Sequence, residues 1–349
     1  MKNSSRTKED KIIGCLLGTA AGDSIGLPCE GLSKRKLKKI YGEIKGHAFF
    51  FNKGMVSDDT EHTAMVAKAL LETDGDVKSF IKNLSWKFRF WLMSLPAGIG
   101  MATLKACIKL CLGWPGDKSG VFSAGNGPAM RSAIIGVMYG DDREKMKELV
   151  RASTQITHRD PKAEYGALAV ALAAHLSDAS PEEYYGELEN LIGKEGEEFL
   201  GLIKKAADFV STGKITEDFA ESMGLGKGIS GYIYHTVPVV IYCWFKHKKN
   251  FRAGLTDIVK CGGDTDTTGA ILGAITGAGG GKEVIPEEWL NNIWDWPLSV
   301  KWLEELGRSL GENNKNTGAK LNFAGSFIRN IFFTAIVLLH GFRRFLPPY

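Results

Sequence analysis

Apolar residues recur at three- and four-residue spacing along most of this chain. That periodicity predicts helices over 11–21, 60–72, 77–92, 101–111, 126–138, 142–154, 162–177, 181–192, 198–212, 231–246, 251–261 and 267–276. No stretch sustains the period-two alternation and β-branched enrichment of a half-buried strand, so an all-α fold without a sheet is expected. Two helix starts carry capping chemistry: Asp58 and Glu61 have capping-box spacing, and Ser180 is followed by Pro181, Glu182 and Glu183. No linker rich in glycine, serine or proline divides the chain and no repeat is evident. Residues 1–310 therefore read as one domain, followed at 311–349 by a polar loop (GENNKNTGAK, 311–320) and an apolar tail. The tail's apolar run, 331–339, is flanked by Arg329 and by Arg343 and Arg344. It is far shorter than the ~20 residues a spanning helix needs. A helix docked on the core is the first expectation for it, and a peripheral membrane or partner anchor is the alternative.

Glycine spacing adds a packing constraint. Gly14, Gly18 and Gly22 lie four apart, as do Gly269, Gly273 and Gly277. Residues four apart share a helix face. Each glycine costs a helix about 1 kcal/mol relative to alanine, so such a stripe implies another backbone pressed against it. Both helices should be central, and they are candidates for neighbours.

Composition narrows the class. Of 349 residues 44% are hydrophobic and 24% charged, with a formal net charge of +4. This is the profile of a soluble globular protein. The charge permits an anionic ligand but is too mild and dispersed for a nucleic-acid binder. The densest basic run, Lys34, Arg35, Lys36, Lys38 and Lys39, reads as a solvated helix face. The cysteines Cys15, Cys29, Cys107, Cys111, Cys243 and Cys261 form no CxxC pair and mostly lie in apolar stretches, as reduced thiols do. The polar first ten residues are not a secretory signal, so a cytoplasmic monomer is expected.

The candidate chemistry lies in two acidic clusters about two hundred residues apart: Ser57-Asp58-Asp59-Thr60 and Asp264-Thr265-Asp266-Thr267, the second preceded by Gly262-Gly263. Each stands at a predicted helix start and can be read as a cap. One residue suffices for a cap, however, and each cluster offers several oxygen donors. Brought together they would supply four carboxylates, a ligand set suited to Mg²⁺ or Mn²⁺ rather than zinc. Three further segments are candidates. Glu30 follows the glycine-flanked Gly22-Asp23-Ser24-Ile25-Gly26, and reads either as an exposed glutamate or as a carboxylate within reach of the metals. Ser123-Ala124-Gly125-Asn126-Gly127-Pro128 could be a plain turn or could present backbone N–H groups to an anion. His158, in a polar loop after Thr157, is either structural or a ligand contact.

These segments resemble, in order and spacing, the ADP-ribosylglycohydrolase family: Gly22-Asp23 with Gly26 and Glu30, then Ser57-Asp58-Asp59-Thr60, then Gly125-Asn126-Gly127-Pro128-Ala129-Met130-Arg131, then Thr157-His158, then Gly262-Gly263-Asp264-Thr265-Asp266-Thr267 with Gly269-Ala270. The resemblance covers roughly residues 11–289. It implies a single all-α catalytic domain with a binuclear Mg²⁺ or Mn²⁺ site in a central cleft. Carried over, Ser57, Asp58, Asp59, Asp264, Asp266 and Thr267 become metal ligands, and Glu30 or Asp59 the catalytic base. Phe122, Ser123, Gly125, Asn126, Gly127 and His158 would hold ADP-ribose, with Gly228 and Ile229 as a looser match. The implied reaction is hydrolysis of the bond from the distal ribose C1″ to an acceptor, with arginine on a modified protein the first choice. A catalytically silent binding or structural member, or a hydrolase of serine, small-molecule or nucleic-acid conjugates, are the alternatives.

Overall fold

The two glycine stripes meet. In the computed structural model, which describes residues 6–343 apart from 249 and 317, helix α1 (Lys8–Gly26) lies directly on the helix Thr265–Gly280. A Cβ added to Gly14, Gly18 or Gly22 would stand 2.1, 2.0 and 2.0 Å from the carbonyl oxygens of Gly277, Gly273 and Gly269. Backbone meets backbone along this seam, so the C-terminal end of α1 is held against the N-terminal end of its partner. Those ends carry Asp23 and Asp264 to Thr267. The other helices wrap the pair in an all-α body with no strand among the described residues, only isolated bridges. Its largest buried side chains include Trp244, Trp289, Tyr184 and Phe88.

Helix α2 (Lys34–Tyr41) carries the basic run. Only its Leu37 is buried, and Lys34 pairs with Glu217 and Glu221 at 3.0 and 2.9 Å, so the solvated-face reading holds. Helices α3 (Asp58–Thr73) and α4 (Val77–Met93) follow the expected periodicity. The capping box at Ser180 and Glu183 forms with Pro181 in the first turn. All six cysteines are free thiols, and all but Cys111 are buried.

Three expectations change. The helix expected over 126–138 breaks into Gly127–Met130 and Ala133–Tyr139. The break at Arg131 turns its guanidinium inward, where it donates to the Gly127 and Ser153 carbonyls and the Thr157 hydroxyl. The helix Val300–Gly311 was not expected, although Leu303, Leu306 and Leu310 mark its buried face. Asp58 and Glu61 form no capping box: Ser57 occupies the N-cap, and the Glu61 carboxylate accepts from Trp91 Nε1 and faces Arg329 instead.

The tail forms a longer element than its apolar run suggested. It is one helix, Phe323–Arg343, much longer than its most apolar run. Only its inner face docks. Arg329 is buried there between Asp295 and Glu61, donating to both Asp295 oxygens, to Glu61 at 3.4 Å and to the Val56 carbonyl. Asp295 in turn accepts from the Val56 N–H at 2.9 Å. Arg329→Met is expected to cost about 3–5 kcal/mol in urea unfolding, since it strands two buried carboxylates. A loss under about 1 kcal/mol would show that they are rehydrated instead.

Candidate metal centre and ligand cleft

Asp23, fully buried near the end of α1, does the capping expected of the first cluster. Its carboxylate accepts from the Ser57 N–H at 3.0 and 2.8 Å, from the Thr60 N–H at 3.2 Å and from the Thr60 hydroxyl at 2.5 Å. With the first turn of α3 satisfied from outside, the oxygens of Asp58 and Asp59 are left for other work. Ser57 Oγ donates to Asp59 Oδ2 at 3.1 Å, and Thr267 Oγ1 reaches the same oxygen at 3.3 Å. That last bond joins the two clusters.

The second cluster is positioned by a pinched turn. Gly262 and Gly263 both have positive φ, and a Cβ on Gly263 would lie 2.0 Å from the Ile229 carbonyl, so glycine is required there. The turn is pinned on both sides: Gly263 exchanges backbone hydrogen bonds with Gly31 and Leu32, and the Asp264 N–H donates to Ile229 O at 2.8 Å. Glu30 is thereby anchored beside the acidic cluster. Asp264 occupies the N-cap position, yet its side chain caps nothing; its Oδ2 accepts from Asn126 Nδ2 at 2.6 Å.

Two buried oxygens, Asp59 Oδ1 and Asp266 Oδ1, have no protein partner. Burial, and after it neighbouring negative charge, push the carboxyls of Asp58, Asp59 and Asp266 well above the usual range. Asp266 feels Glu30, Asp264 and Asp59; Asp59 feels Asp23, Asp58 and Asp264. Burial raises Asp23 to about 6 against the lowering effect of its Thr60 and Ser57 donors. Crowded, buried carboxylates with orphaned oxygens call for a cation, and a donor set made only of oxygen fits a hard divalent ion. Cys243, His247 and Asp257 also lie close together. There, however, Asp257 Oδ2 already accepts from Thr216, His247 and Lys246 at 2.7, 2.8 and 3.2 Å, so protein donors satisfy it.

The cluster forms the floor of a cavity of about 660 Å³. One wall is the 123–127 loop, held by Asn126 N–H to Gly231 O at 3.0 Å and by the Ile233 N–H to Ala124 O at 3.0 Å. Arg131 donates to Thr157 Oγ1 at 2.7 Å, and that hydroxyl is 2.8 Å from His158 Nδ1. The Thr157 proton therefore goes to Nδ1, and the imidazole carries its own on Nε2, a tautomer assigned from this network. Burial, then the Arg131 charge, pulls His158 down to about 3, so it is a neutral donor. Its Nε2 lies against Gly125, where a Cβ would come within 2.9 Å.

Glu30, Ser57, Asp58, Ser123, Gly125, Asn126, Gly127, His158, Ile229, Asp264, Asp266 and Thr267 thus line one cavity. Asp59 lies just behind its floor, bonded to Ser57 and Thr267. Phe122 is 81% exposed outside the cavity. Gly228 backs onto the Gly263 backbone rather than the cavity. Asp23 and Arg131 went unassigned in the sequence; the only signal was their place inside recognisable motifs. The docked tail was expected, but its Phe333, Val337 and His340 also wall the cleft, which the sequence did not indicate. Asn126→Ala is expected to lower both turnover and divalent affinity by about 10–100-fold, because it releases Asp264. Calorimetric titration with Mg²⁺ checks this, and unchanged affinity would remove Asn126 from the positioning of Asp264.

The fold and this oxygen-lined cleft define a helical protein with a candidate divalent-cation site. The chain matches the ADP-ribosylglycohydrolase family over residues 4–319 and belongs to it. Among its relatives are an uncharacterised protein of Archaeoglobus fulgidus (34% identical, covering 87% of this chain and 97% of that one) and the ADP-ribosyl-[dinitrogen reductase] glycohydrolase of Rhodospirillum rubrum (28%, 81% and 90%). The ADP-ribosylhydrolase ARH3 of Gallus gallus is 26% identical, covering 82% and 89%. A solved structure described as an ADP-ribosylglycohydrolase-related protein complex aligns with a TM-score of 0.61 at 25% identity, over 88% of this chain and 98% of that one.

Proposed function

We propose that the cleft hydrolyses the bond between C1″ of ADP-ribose and a protein acceptor, with ADP-ribosyl-arginine its first substrate. The observation that carries this is the meeting of both carboxylate clusters, with orphaned buried oxygens, at the floor of a cavity walled by the 123–127 loop and His158. The name of the Rhodospirillum relative supports a protein conjugate. The exposed Glu30 at the rim supports a cationic acceptor.

Metal dependence is general in the family. Here Ser57, Asp58, Asp59, Asp264, Asp266 and Thr267 would hold two Mg²⁺ or Mn²⁺ ions. Such ions, when bound, polarise the ribose 2″ and 3″ hydroxyls and acidify a water. Glu30 takes the proton of the attacking water as the water oxygen bonds to C1″, and passes it to the acceptor nitrogen as the C1″–N bond breaks. Glu30 suits the base role better than Asp59, because it faces the cavity while Asp59 is sealed behind the floor. His158 Nε2–H and the 123–127 loop bind the ADP-ribose.

The test is release of ADP-ribose from ADP-ribosyl-arginine and ADP-ribosyl-serine peptides, with Mg²⁺ and with chelator. Faster release from arginine, abolished by chelator, is the expected result. Release from serine alone would move the substrate to that conjugate. No release from either, with metal present, would favour a silent binding member.

A further inference from the structure

The C-terminal helix Phe323–Arg343, which lies beyond the family-matched residues, is built inside out. Helix α1 and this one are both long and apolar enough to cross a membrane, yet 94% of α1's apolar window is buried against 17% of that in Phe323–Phe342. Three of its polar groups point inward: Arg329 bonds to Asp295 and Glu61, Asn330 Nδ2 donates to Ser94 O at 2.9 Å, and His340 is 3.2 Å from Pro28 O. Its outward face carries Ile328, Ile331, Phe332, Leu338, Leu339 and Phe342, each 51–66% exposed. At 100° per residue these six fall on one stripe.

We infer that this stripe lies on the surface of an anionic lipid bilayer. Charge and shape argue for lipid. The helix contains no acidic residue. The last residue of α2 reaches the inner side of this helix, where the Tyr41 hydroxyl is 3.5 Å from His340 Nε2, and the Arg35, Lys36, Lys38 and Lys39 of α2 are exposed. An exposed apolar helix face on a body that also carries exposed bases suits acidic headgroups. The apolar strip continues past the helix start through Phe323, Phe90 and Trp86, with ring centroids 5.4 and 5.9 Å apart and the Arg89 guanidinium over Trp86 at 4.4 Å. Aromatic rings with basic partners suit the headgroup level. The helix lies on the bilayer rather than spanning it, since crossing would strip Arg329 and Asn330 from their buried partners. Its inner face walls the cleft, so docking brings the cleft mouth to the membrane surface.

Cosedimentation of the full chain with vesicles tests this. Binding to phosphatidylcholine vesicles containing phosphatidylglycerol is expected to exceed binding to phosphatidylcholine alone by about tenfold or more, and to weaken with salt. Leu338→Glu with Leu339→Glu should abolish binding while hydrolysis and helicity persist. Arg35→Glu with Lys39→Glu, which touches no apolar group, should remove the preference for phosphatidylglycerol. Absence of vesicle binding at low salt would overturn the proposal. So would a solution dimer that Leu338→Glu dissociates, since a second copy would then cover the face. Resistance to alkaline carbonate extraction would overturn it in favour of a spanning helix. Hydrolysis in solution is measured separately, so failure here leaves the glycohydrolase reading untouched.

Discussion

Gly18→Ala is expected to destabilise the protein by about 3 kcal/mol or more, although alanine is the better helix former by about 1 kcal/mol. The added methyl would stand 2.0 Å from the Gly273 carbonyl oxygen, and that oxygen belongs to a helix backbone with no rotamer to change. The two helices must separate, and overpacking of this kind costs about 1–3 kcal/mol even where side chains can yield. Separation also pulls Asp23 away from the end that carries Asp266, so hydrolysis should fall with stability. Gly201→Ala is the control. Gly201 sits in the helix Glu197–Phe209 with nothing within 4 Å of a built Cβ, and alanine there should stabilise by up to about 1 kcal/mol. Urea midpoints that move in opposite directions support the argument. A Gly18→Ala protein as stable as the parent would mean that the seam has room.

Asp266→Asn is expected to lower hydrolysis by roughly 10²–10³ or more, yet to raise the melting temperature of the chelated protein. In the absence of a cation, Asp266 crowds buried negative charge against Glu30, Asp264 and Asp59. Removing that charge relieves the folded state and takes away a cation donor at once, so the rise in melting temperature on adding Mg²⁺ should shrink. The sign with pH follows from Asp23. Its carboxyl is raised in the folded state from 3.8 to about 6, so its contribution to stability is present below about 4 and lost as pH rises through about 6. Chelated protein should therefore melt lower above that window than below it. Unchanged turnover in Asp266→Asn would remove the second cluster from the mechanism.

The helical fold, the glycine seam and both donor clusters were legible because each is local in sequence: a periodicity, a four-residue spacing, a run of oxygens. What was not legible depends on who comes to meet a residue. Asp58 and Glu61 have the spacing of a capping box, but Asp23 from α1 caps the turn and Arg329 from the far end of the chain draws Glu61 away. The split at Arg131 follows from the buried carbonyls that receive its guanidinium, not from a helix breaker. Composition marked the tail as apolar but could not say which side faced out. Arg329, which only flanked the apolar run in the sequence, attaches the helix together with Asn330.

The latch at Val56 sets an order of events during synthesis. Val56, one residue before Ser57, is gripped by Arg329, 273 positions later in the chain. At about 5–20 residues per second, the first ligand cluster leaves the ribosome about 14–55 s before the residue that secures it. The helix Thr265–Gly280 that closes the seam against α1 is made nearly as late. A nascent chain therefore carries Asp58 and Asp59 on an unlatched helix for most of its translation, and the site is completed only as the last helix docks.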